Sequence, residues 1–251
     1  MKKIILSTLA LFLVAQVFAL NITDPFYMPK KGGFVSDTTV IKENNPYAWN
    51  GVRAYGIREV VSYGIMDELS IGAGLGWAKI KDGDSGLEDP TIYARYRIVE
   101  EAKNGVIVDL KGYISPEIFD SPFNGDGGVA KGSTDFGVSA MVGSKELVKD
   151  FVLWAEAGID FIGSTKATDS SNIIFVSANA KYYLDDLNSF DGGLFYKNYS
   201  AGDGYSGYGI RLDYARLLQD NLALVPFWEA ESHSDNMTST VQFGITLRYT
   251  F

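Results

Sequence analysis

The chain has 251 residues, no cysteine, one histidine and a formal net charge of −9, with 46% hydrophobic and 14% aromatic residues. The cysteine count excludes disulfides and thiol chemistry, and with a single histidine a His- or Cys-rich metal cluster is excluded as well. The acidic balance gives no support to nucleic-acid binding, and no cofactor is expected.

The chain opens with MKKIILSTLALFLVAQVFA. Two lysines, a short apolar run and small residues at Val17 and Ala19 make residues 1–19 a signal peptide, since the run is shorter than the ~20 residues a spanning helix needs. Cleavage after Ala19 removes Lys2 and Lys3 and takes the net charge to −11. Residues 20–33 then form a periplasmic N-terminal segment or a plug, and 34–251 a single β-domain.

From residue 34 onward the pattern is period two. Imperfect alternation over 34–42 and 52–63 gives two weak strands. In 69–80, LSIGAGLGWAKI, Leu69, Ile71, Ala73, Leu75 and Trp77 stand opposite Ser70, Gly72, Gly74 and Gly76. In 91–99, Ile92, Ala94, Tyr96 and Ile98 oppose Arg95 and Arg97; in 106–114, Val108, Leu110 and Ile114 oppose Asp109, Lys111 and Tyr113. Strands follow through Phe136 to Val142 and through Phe151 to Phe161, the latter turning Glu156 and Asp160 to its polar side. Next come Ile174 to Tyr182, a weak strand over 189–198, and Tyr208 to Tyr214 with Arg211 and Asp213 on the polar side. Leu222 to Trp228 precedes the terminal VQFGITLRYTF, where Arg248 opposes Phe243, Ile245, Leu247, Tyr249 and Phe251. This amounts to about twelve strands, within a range of roughly 10 to 14.

The connections alternate in length. MDE, AKNG, ELVKD, DDLN and LLQDN are short; KDGDSGLEDP, SPFNGDGGVAKGS, GSTKATDSS, SAGDGYS and SHSDN are long and rich in Gly, Asp and Ser. An up-and-down barrel in an outer membrane has this asymmetry, with tight periplasmic turns and longer external loops. An even strand count puts both termini in the periplasm. The polarity agrees, because one face is large and apolar while the other mixes glycine with charge of both signs. A soluble core could bury such charges only at great cost, whereas a wetted lumen faced by a closed sheet can hold them. The expectation is therefore an all-β, closed, antiparallel, up-and-down transmembrane barrel. Trp77, Tyr96, Tyr182, Tyr208, Tyr214, Trp228 and Tyr249 are girdle candidates, and outer-membrane lipid and lipopolysaccharide are the surroundings.

The terminal strand resembles the sorting signal of bacterial outer-membrane proteins, with Phe243, Tyr249 and Phe251 as its residues. That resemblance implies recognition by the barrel-assembly machinery. YGIMDELSIGAGLGW (63–77) and GLEDPTIYARYRIVEE (86–101) resemble the outer-membrane transporter-like family annotated after the meta-pathway of phenol degradation. Glu88-Asp89-Pro90 keeps the aspartate-proline of that family's element. The resemblance covers about 40 residues and implies passage of aromatic or other small molecules. The residues themselves give GLEDP a structural reading, with Asp89 accepting backbone hydrogen bonds and Pro90 opening a strand.

The functional expectation is a barrel passing small solutes through a narrow lumen walled by Arg95, Arg97, Asp109, Lys111, Glu156, Asp160, Arg211, Asp213 and Arg248. Gly72, Gly74 and Gly76 either keep a path open or admit bulky neighbours such as Tyr93 or Trp154. The alternative is a structural or surface-interaction barrel with a closed lumen. A lipid hydrolase is the weakest reading, because His233 would be its sole base, and Ser232 and Ser234 beside it point away on an extended backbone.

Overall fold

The computed structural model describes residues 20–45, 53–101, 105–119, 132–164, 169–200, 204–234 and 238–251. The signal-peptide assignment at 1–19 and the tips of most long loops, Asp235 and Asn236 included, lie outside these residues.

Twelve staves form a closed antiparallel barrel. In chain order the strands are β1 (Phe34–Asn44), β2 (Arg53–Met66), β3 (Leu69–Ile80), β4 (Ser85–Leu87), β5 (Thr91–Val99), β6 (Ile107–Ser115), β7 (Asp135–Ser144), β8 (Phe151–Ile162), β9 (Ser171–Tyr183), β10 (Asn188–Tyr199), β11 (Tyr205–Gln219), β12 (Leu222–His233) and β13 (Thr240–Thr250). Each stave pairs with its sequence neighbour, and β13 closes on β1 from Val35↔Thr250 to Asn44↔Val241. The Phe251 amide donates to the Phe34 carbonyl at 3.0 Å, so the last residue is held in the ladder. Closure leaves no open edge, which is what a sheet without a water-facing rim requires.

β4 and β5 both pair with β3 and together make one interrupted stave. This corrects the sequence expectation that 81–90 is all loop. The interruption is Glu88-Asp89-Pro90: the Glu88 amide donates to the Gly76 carbonyl at 2.9 Å. Asp89 is buried and its Oδ1 accepts the amides of Ile118 and Phe119 at 3.0 and 3.1 Å. Pro90 lacks an N–H to offer the ladder, and pairing resumes at Thr91.

Outward side chains are apolar and exposed, from Ile57 and Leu75 through Val138 and Ile174 to Phe243 and Ile245. Aromatic residues gather near both strand ends. At the short-turn end, Phe34 meets Tyr63, Phe151 meets Tyr182, and Tyr249 meets Phe251, with ring centroids 4.4–4.8 Å apart. Phe136 stacks on Phe161 at the long-loop end. A polar cluster interrupts the outward face: Glu59 pairs with Thr38 and Leu75, and its carboxylate accepts the Ser36 hydroxyl at 2.5 Å and the Thr38 hydroxyl.

Candidate functional site: the barrel interior

The inward face begins with glycine. Gly72, Gly74 and Gly76 sit on one stave, and at Gly72 the space a Cβ would occupy is filled by the Tyr93 ring, whose hydroxyl meets Ser62. At Gly76 it is filled by the Glu88 carboxylate. Glu88 pairs bidentately with Arg58, at 2.7 and 2.8 Å. These glycines admit bulky neighbours, Tyr93 among them, and do not leave an empty groove.

The nine charged residues singled out in the sequence fall into local groups. Arg95 and Arg97 converge on Asp109, which is fully buried, each through its Nε at 2.9 Å. Lys111 reaches Glu156 at 2.8 Å, and Ser139 donates to the same carboxylate at 2.7 Å. Arg211 pairs with Asp213 at 2.8 Å and leans toward Glu229 at 3.4 Å. Arg248 makes a fork to Asp37, with both contacts at 2.7 Å. Asp160 converges with Tyr113 over Gly137, whose missing side chain makes the room.

Sequence reasoning missed the counter-ion Asp37, because β1 alternates too weakly to fix its parity. It also left out of the wall set the pairs Arg58–Glu88, Lys181–Asp191 and Lys197–Glu231. Lys181 and Lys197 alternate correctly in the sequence, so parity alone was the available signal for them.

The N-terminal segment lies inside the short-turn end of the barrel. A helical turn, Leu20–Thr23, runs into a second turn closed by the Tyr27 amide on the Asp24 carbonyl at 2.9 Å, and Ile22, Phe26 and Met28 are buried. Ile22 packs on Leu217 and Ala223, while Phe26 packs on Ile107, Met141 and Val152. Four wall cations hold its main chain. Arg248 donates to the Ile22 carbonyl at 2.9 Å, Lys181 to that of Thr23 at 2.7 Å, Arg95 to that of Pro25 at 2.9 Å, and Arg97 to that of Phe26. Lys145 closes the set by pairing with Asp24 at 2.7 Å. Hydrogen bonds from charged donors contribute about 1.5–3 kcal/mol each, so the four cations on main-chain carbonyls are a strong anchor that does not depend on the segment's side chains.

Two cavities flank this segment. One, of about 460 Å³, is lined from β1, β2, β3, β5, β6, β7, β8, β9 and β13, and so lies within the lumen. The other, of about 580 Å³, opens among Asp67, Glu100, Asp220 and Phe251 at the short-turn end. Tyr27, Met28 and Pro29 line both, and form the partition between them.

His233, the residue on which a hydrolase reading depended, is buried at the long-loop end of β12. Its Nε2 lies 3.2 Å from Glu231, its Nδ1 2.9 Å from the Thr238 carbonyl, and its ring edge meets Tyr199 and Tyr205. Ser234 instead accepts the Ser206 amide at 3.0 Å.

No protein-family profile matches the chain, and no curated protein matches it in sequence. Its fold does have solved counterparts. An outer-membrane channel from Pseudomonas putida F1 superposes with a TM-score of 0.69 at 13% identity, covering 91% of this chain and 99% of that one. The NanC porin gives 0.59 at 11% identity over 85% and 98%, and the KdgM porin, solved with disordered oligogalacturonate, gives 0.56 at 10% over 86% and 99%. At such identities the likeness is one of fold.

Proposed function

We propose that the chain is a bacterial outer-membrane channel for small solutes, with its short turns and both termini in the periplasm and its long loops outside. The observation that carries this reading is the lumenal cavity walled by nine of the twelve staves of a closed barrel whose outward face is apolar. Residues 22–29 form a periplasmic constriction in it, so the passage is narrow. The counterpart channel and porins support the same reading by their shared fold. Aromatic or otherwise hydrophobic small molecules suit a cavity whose walls include Tyr27, Tyr93, Tyr113 and Phe175, in keeping with the resemblance of 63–77 and 86–101 to the phenol-pathway transporters. The barrel-assembly machinery is the partner during biogenesis, through the strand ending in Phe251. No residue acts as a catalyst on this account.

A closed structural barrel is the second reading, favoured by the Tyr27–Met28–Pro29 partition. Proteoliposome swelling separates the two: entry of solutes of graded size supports the channel, and no swelling with any solute leaves only the closed barrel.

A further inference from the structure

The charges that line the lumenal cavity are Asp37, Arg95, Lys111, Glu156, Asp160 and Arg248, three of each sign. They do not form opposed rows. Arg248 is forked to Asp37, Lys111 is bound to Glu156, Arg95 shares Asp109 behind the wall with Arg97, and Asp160 meets Tyr113 over Gly137. Lys181 and Arg97 below them are spent in the same way, on Asp191, Asp109 and carbonyls of the N-terminal segment.

Ion-selective pores present uncompensated rings of one sign, which replace part of an ion's hydration energy. An ion entering this cavity gives up water and meets charges most of which are already held by an opposite charge at hydrogen-bond distance, so it is penalised whichever sign it carries. A neutral molecule loses far less. The remaining wall offers it aromatic faces at Tyr27, Tyr113 and Phe175 and hydroxyl groups at Ser70 and Ser139. A volume of about 460 Å³ falls within the range of roughly 300–1,000 Å³ typical of small-molecule sites.

We propose that this cavity is a selectivity site for uncharged small solutes, and that Lys111 and Glu156 keep it so by cancelling one another. The inference rests on the channel reading. Both side chains remain partly open to the cavity, at 33% and 19% exposure, so removing either unmasks its partner toward a passing solute.

The test is reversal potential in a potassium chloride gradient across planar bilayers, with folding of each protein checked by heat-modifiable gel mobility. Wild type should show little preference between potassium and chloride. Lys111→Gln should turn the pore toward potassium and Glu156→Gln toward chloride, each by about tenfold as expected for an unmasked charge in a low-dielectric cleft. The double variant should return to the wild-type value. A wild type already selective for one ion, or single variants that leave the reversal potential unmoved in a conducting pore, would overturn the inference while leaving the channel intact. Absence of current with solute-driven swelling of proteoliposomes retained would support the exclusion of ions, whereas absence of both would overturn the channel reading, and this inference with it.

Discussion

The ring of Phe26 occupies the space that a side chain at residue 143 would need, so the N-terminal segment docks where Gly143 leaves the β7 wall bare. The same ring packs on Ile107, Met141 and Val152, which makes this contact the apolar centre of the constriction. Phe26→Ala should empty this contact and loosen the segment while leaving the β7–β8 ladder untouched, whereas a side chain added at residue 143 would also strike the Leu153 carbonyl and Trp154 of β8. Accelerated cleavage by added protease between residues 22 and 29, in a barrel that still resists heat denaturation, is the expected result.

Asp109 answers two arginines at once, and those arginines in turn hold the carbonyls of Pro25 and Phe26. Asp109→Asn leaves both guanidinium groups short of a counter-charge. The barrel should lose about 3–5 kcal/mol, the cost of breaking a buried pair from one side, read from urea unfolding in detergent. Arg58→Gln, which breaks the more exposed pair with Glu88, should cost about 1 kcal/mol or less.

Glu59 lies midway along β2 between the outward aromatic residues Tyr55 and Tyr63, hydrogen-bonded by Ser36 and Thr38. In a membrane this places a carboxylate on the lipid side near mid-depth, where charge is destabilising. Glu59→Leu should therefore raise the unfolding free energy in lipid by about 1 kcal/mol. A loss of stability would mean that the hydroxyl–carboxylate triad holds β1 to β2.

The turn at 184–187 is tied by Asp185, whose Oδ1 accepts the amides of Leu187 and Asn188, both at 2.8 Å. These bonds, first that from Leu187, hold its carboxyl below the ordinary value of 3.8. A lowered value in the folded protein means that the tie is complete above the unfolded value and is lost as pH falls through the folded one. The protection factor of the Leu187 amide, its exchange rate taken relative to the unstructured chain at the same pH, should fall only in that acid window, and Asp185→Ala should abolish this pH dependence of protection.

Much of the fold was legible because the barrel meets two different media. A stave such as 91–99 must alternate, so Arg95 and Arg97 declare their side from sequence alone. The closing strand β13 was legible for the same reason, through VQFGITLRYTF, while the parity of its partner β1 was not. Legibility failed where hydrogen bonding overrides pattern. Ser85–Leu87 hides as a strand within Gly- and Asp-rich loop sequence, and β1 carries Ser36 and Thr38 outward because Glu59 binds them there. Local sequence gives no sign of the carbonyl anchor either. Ile22 and Phe26 look like any apolar segment, and the cations that seize their main chain come from strands tens to hundreds of residues away.

Phe251 is exposed on its ring while its amide is bound to Phe34, so its side chain is free for recognition even though its backbone closes the sheet. Deletion of Phe251 should reduce the folded, membrane-inserted fraction at native expression, measured by heat-modifiable mobility of outer-membrane extracts. Normal assembly of the deletion would show that recognition lies elsewhere.

The central claim is a conducting lumen narrowed by the N-terminal segment, and single-channel recording of the purified chain beside a variant lacking residues 22–29 tests it most directly. The account predicts small, resolved openings for the full chain and a severalfold larger conductance for the shortened one, on the order of the change expected when a plug leaves a barrel of this size. Equal conductance in the two would contradict the constriction, and silence in both, with no solute-driven swelling of proteoliposomes, would contradict the channel itself.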